Sequence, residues 1–62
     1  MDIKQYRQAI TDILANSRDE EGNIRMTEQE IHEILDDFSD EELEDGMLFN
    51  SPEDVAEIIL EG

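Results

Sequence analysis

Apolar residues in the first sixteen positions recur at helical intervals. Ile3, Tyr6, Ile10, Ile13 and Leu14 fall on one stripe at ~100° per residue, and Lys4, Gln5, Arg7, Gln8, Thr11 and Asp12 take the other side. Asp2 precedes the stripe as an N-cap, and Gln5 three residues on completes a capping box, so a helix is predicted over about 3–16. Asn16, Ser17 and the run from Asp19 to Asn23 interrupt the pattern, with Gly22 supplying a turn. A second capping box, Thr27-Glu28-Gln29-Glu30, opens another periodic segment in which Ile31, Ile34, Leu35 and Phe38 share a narrow face. That helix is predicted over about 28–38.

Ser39-Asp40-Glu41-Glu42 repeats the start signal and predicts a short helix over about 40–45, stopped by Gly46. Met47, Leu48 and Phe49 read as an apolar connector. Ser51 as N-cap, Pro52 at the first helical position and acids in the first turn open a last helix over about 52–61. Its buried face is expected to be Val55, Ala56, Ile58 and Ile59, with Leu60 to one side. The fold class is therefore all-α: a small bundle of two longer helices, one short helix and a medium C-terminal helix, forming one domain over residues 1–62. Ile24, Leu43, Leu48 and Phe49 are expected to join the helix faces in a thin core. The sixteen Ile, Leu, Val and Phe residues are roughly a quarter of the chain, above the ~20% below which a highly charged sequence stays disordered.

Charge changes the picture more than hydropathy does. The chain carries four Lys and Arg against nineteen Asp and Glu, for a formal net charge of −15. All four bases (Lys4, Arg7, Arg18, Arg25) lie within the first 25 residues, beside five acids. Residues 26–62 carry the other fourteen acids and no base. Such a chain is repelled by nucleic acid and by anionic lipid, and so is expected to contact neither directly. It has no apolar run near the ~18 residues of a membrane span and no secretory apolar segment at its start. With no cysteine as well, a cytoplasmic protein is the expectation.

Residues 17–28, SRDEEGNIRMTE, resemble part of an EF-hand calcium loop. Asp19, Glu21, Gly22, Ile24 and Glu28 fall on loop positions 3, 5, 6, 8 and 12, although Ser17 stands where the pattern wants Asp. A longer loop from Ser17 would bring in Glu30. The resemblance implies a metal set of Asp19, Glu21, Glu28 and Glu30; a glycine turn followed by a capping box accounts for the same letters with no ion. His32, with Glu28 and Asp36 one turn away, reads as a surface histidine. No nucleophile–base spacing and no phosphate-binding glycine loop is present, so neither catalysis nor a cofactor is expected.

The carboxylate array is the stronger lead. Five acids on the second helix are expected to span roughly 18 Å at ~1.5 Å per residue, and duplex DNA presents one phosphate charge per ~1.7 Å of axis. Glu30, Glu33 and Asp37 share the outer face of that helix, and Asp40, Glu41 and Glu44 extend the array along the short one. These six are the expected contacts with a basic partner. The expected function is a non-enzymatic interaction module, in its sharper form an inhibitor or DNA mimic that blocks a basic nucleic-acid-binding protein. A helix-loop-helix calcium module using residues 17–30, or a small accessory protein, is the alternative.

Overall fold

The computed structural model describes residues 2–61. Four helices follow in order: α1 (Ile3–Asn16), α2 (Glu28–Asp36), α3 (Asp40–Met47) and α4 (Pro52–Glu61). This is the all-α bundle that the periodicity predicts. Each helix begins at a reciprocal side-chain cap. Asp2 with Gln5, Thr27 with Glu30 and Ser39 with Glu42 form capping boxes, and Ser51 and Asp54 exchange the equivalent pair of bonds, each at 3.2 Å. Every such box satisfies two amides that the first turn leaves without intrahelical partners.

α1 is the hub. It packs most extensively on α4, then on α2 and α3. Tyr6, Ile10 and Leu14 on α1 are buried, and they meet Ile31 and Leu35 of α2, Leu43 of α3 and Ala56 of α4 in one core.

Two helix ends differ from expectation. α2 stops at Asp36, two residues earlier than the predicted 38, because Ser39 must adopt extended dihedrals to cap α3. Asp37 and Phe38 then close the end with bonds of the tighter type to Ile34 and Leu35 carbonyls. α3 runs two residues past the predicted 45, through Gly46 to Met47. Among the described glycines only Gly22 has a positive φ, at 85°, so Gly46 is a helical residue and no stop.

The core is smaller than the sequence suggests. Ile24, Leu48, Phe49 and Ile58, all expected inside, are exposed, and Met26 is buried instead. Ile58 lies about 200° around the α4 helix from Ala56, so the turn that buries Ala56 faces Ile58 outward. Leu48 similarly lies nearly opposite buried Leu43 when the α3 spiral is continued by one residue. Met26 precedes the Thr27 cap, and bends at residues 25 and 26 turn it inward. It thereby occupies the position from which a hydrophobic staple meets the fourth helical residue, here Ile31. Phe38 stands in the same relation to Leu43 across the Ser39 cap, and both belong to the core cluster.

Candidate acidic interaction surface

The disposition of the cations decides what the acids can do. Arg7 projects from α1 to the C-terminal end of α2. Its Nη1 donates to the Leu35 carbonyl at 3.0 Å and its Nη2 to the Phe38 carbonyl at 2.6 Å. α2 ends in Asp36 and Asp37, which carry the wrong sign for the negative end of a helix dipole, and the Arg7 guanidinium supplies the missing cation. Arg18 donates to the Ala15 and Ser17 carbonyls at the end of α1, and Arg25 to the Leu60 carbonyl at the end of α4. Three of the four basic side chains therefore serve helix C-termini, none of which has a base in its own last turn.

The carboxylates are left facing water. All fourteen acids from Glu28 to Glu61 are exposed. Among the described residues one Lys or Arg ion pair forms, between Arg7 Nε and Asp40 Oδ1 at 2.8 Å. His32 Nε2 lies 3.8 Å from Glu28 Oε1, with both groups exposed. Among the described residues the one titratable side chain in the core is Tyr6, whose hydroxyl donates to the Asn50 carbonyl at 2.9 Å; every described carboxylate and His32 are exposed.

The six residues singled out from the sequence divide by role. Glu33 of α2, Asp37 at its C-cap, and Glu41 and Glu44 of α3 are exposed, with Glu41 about 200° around the helix from buried Leu43 and Glu44 about 100°. Glu30 is exposed as well, but its Oε1 also accepts from the Thr27 amide at 3.1 Å and hydroxyl at 3.0 Å. Asp40 is turned towards α1 by Arg7. The acids from Glu28 to Asp37 span about 14 Å at ~1.5 Å per residue, short of the roughly 18 Å expected, because nine residue steps separate the first from the last whichever residue ends the helix.

The loop with an EF-hand resemblance is organised internally. Asp19 Oδ1 accepts from the Glu21 and Asn23 amides at 2.8 and 3.0 Å, and the Asp19 amide donates to the Asn23 carbonyl at 2.9 Å. Gly22 takes the left-handed conformation at the turn, and Arg18 pairs with Ile24 in a single antiparallel bridge. Asp19, Glu21, Glu28 and Glu30 are not drawn together: no group of three or more potential ligands converges among the described residues.

Sequence reasoning missed the three arginine contacts at helix ends, because two of them join positions far apart in the chain. It also missed the exposure of Leu48 and Phe49. An open surface groove of about 540 Å³ runs between α1 and α2, with Ile24, Met26 and Ile31 along it. No helix among the described residues is long and apolar enough to cross a membrane. No protein-family model matches the chain, and neither the curated proteins nor the solved structures contain a match to it.

Proposed function

We propose that this chain is a non-enzymatic acidic interaction module of the cytoplasm that docks on a basic protein. In its sharper form it mimics duplex nucleic acid and blocks a nucleic-acid-binding protein. One observation carries the reading: fourteen acids are exposed over the last three helices, while three of the four cations are committed to helix carbonyls. A chain that needed charge only for solubility has no reason to withhold every base from its last 37 residues, where Glu–Lys pairs would stabilise each short helix. The contact surface is assigned to Glu30, Glu33 and Asp37 on α2 and Asp40, Glu41 and Glu44 on α3. The array is sparser than the ~1.7 Å charge spacing of duplex DNA but shares its sign, and rigid helices hold it in place.

The test is capture of the partner in the native host by cross-linking, followed by direct binding measurements. Binding is expected to fall steeply as salt rises, to fall again when Glu30, Glu33 and Asp37 are changed to Lys, and to compete with duplex DNA. Affinity indifferent to both salt and the triple reversal contradicts the reading. A partner bound equally well with DNA in place contradicts the mimic.

A further inference from the structure

We propose that Leu48 and Phe49 are the apolar anchor of this acidic surface, seated in an apolar concavity rimmed by Lys and Arg on the basic partner. The proposal rests on the acidic-surface reading and adds to it the place where contact is tightest. Phe49 is 83% exposed and Leu48 76%, the two most exposed large apolar side chains described. Adjacent in sequence, they form a ledge whose burial remains available to a partner.

The ledge is held in place. The Leu48, Phe49 and Asn50 amides donate to the Asp45 and Gly46 carbonyls at 3.4, 3.0 and 2.7 Å, continuing the α3 spiral past its end. The Asn50 carbonyl accepts from the hydroxyl of Tyr6, itself buried at the centre of the bundle, at 2.9 Å. A partner therefore meets an ordered backbone and loses little conformational entropy in fixing it.

Charge selects the occupant. On the continued α3 spiral, Glu41, Glu44 and Asp45 share the outward face with Leu48, and Glu53 and Asp54 follow in the first turn of α4. A second copy of a chain with net charge −15 would bring the same acids against this rim, and nucleic acid or anionic lipid would bring phosphates. A basic protein surface reverses the sign. A buried aromatic and aliphatic pair inside a charged rim is the usual anatomy of an interaction hot spot.

Two peptides test this: a lysine decamer, and a helical peptide of the same charge with leucines along one face. Each is titrated into the wild type, the Leu48→Ser/Phe49→Ser double variant and the Glu41→Lys/Glu44→Lys double variant, following amide resonances and affinity. All four changed positions are exposed, and matching melting temperatures confirm that the variants fold. The leucine-bearing peptide is expected to shift residues 47–50 and to bind Leu48→Ser/Phe49→Ser about tenfold more weakly, while the lysine decamer binds both alike. Equal affinity of the leucine-bearing peptide for wild type and Leu48→Ser/Phe49→Ser, or shifts centred on Ile24 or Ile58, overturns the anchor. Shifts at Leu48 and Phe49 whose affinity is unchanged in Glu41→Lys/Glu44→Lys overturn the acidic rim while the anchor stands.

Discussion

Arg7 Nε donates to Asp40 Oδ1 at 2.8 Å, tying the first helix to the first residue of the third. The same guanidinium closes the end of α2 through the Leu35 and Phe38 carbonyls. One side chain therefore fixes three helices. The planar fork makes this possible by presenting the three bonds from three separate nitrogens, a reach that a compact ammonium lacks. Arg7→Ala is expected to destabilise the fold by about 1–3 kcal/mol, and Arg7→Lys by most of that. Asp40→Asn removes only an exposed ion pair and should cost less than about 1 kcal/mol. Urea unfolding of the three variants checks the order; an Asp40→Asn loss as large as that of Arg7→Ala would show that the ion pair, not the carbonyl contacts, holds the helices.

Tyr6 is the single tyrosine, and the chain has no tryptophan, so its titration can be read without interference. Burial, and next the nearby Asp54 carboxylate, raise its pKa above the ordinary 10.0. The native state then holds the phenol proton more tightly than the unfolded chain. The resulting stability is complete below about pH 10 and is lost as pH rises through the folded value. Tyrosinate absorbance is expected to appear at higher pH in the folded protein than in urea. Tyr6→Phe should abolish that part of the alkaline loss, at a cost of about 0.5–1.5 kcal/mol near neutrality for the bond to the Asn50 carbonyl. Coincident titrations in the folded and unfolded states would contradict the buried placement.

What the sequence disclosed was local. Asp2 and Gln5, Thr27 and Glu30, Ser39 and Glu42, and Ser51 and Asp54 are each three residues apart, so every helix start could be read from spacing and hydrogen-bond chemistry alone. The inner stripe of α1 was legible for the same reason. The fates of Leu48, Phe49 and Ile58 were not, because apolar character alone does not determine which side of a short helix meets α1. Met26 carried a usable signal that went unread: an apolar residue just before a cap, with Ile31 at the staple position. For the candidate surface, the acidic face of α2 was legible from helical phase. The engagement of Asp40 by Arg7, across 33 residues, was not.

Gly46 offers a gain in stability. It lies inside α3, and a Cβ built there meets only the Tyr6 hydroxyl, at 3.9 Å, an ordinary contact. Gly46→Ala is expected to stabilise the protein by about 0.4–1 kcal/mol by restricting the unfolded chain. A thermal melt that shifts downward would mean that the end of α3 needs the freedom of glycine after all.

Gly22 behaves in the opposite sense. Its φ of 85° strains any residue with a Cβ, although the space around it is open. Gly22→Ala should cost about 1 kcal/mol and Gly22→Asn less, since asparagine tolerates the left-handed region better. Because Asp19 already accepts two amides in this turn, millimolar calcium should leave the Gly22 and Ile24 amide signals and the melting temperature unchanged. A calcium-dependent rise in melting temperature would restore the ion-binding loop.

The central claim is that the carboxylates of the last three helices, Asp40 apart, face water with no Lys or Arg paired to them, while three arginines close helix ends. Like charges gathered on short helices repel one another, and salt screens that repulsion over ~10 Å at 0.1 M. The most direct measurement is the melting temperature at neutral pH as sodium chloride is raised to about 0.5 M, where screening shortens to a few ångströms. The account predicts a steady rise, since the Arg7–Asp40 pair that salt would weaken, the one Lys or Arg ion pair among the described residues, is far outnumbered by exposed acids. A melting temperature that stays level or falls would contradict it, by showing that the acids are neutralised within the fold.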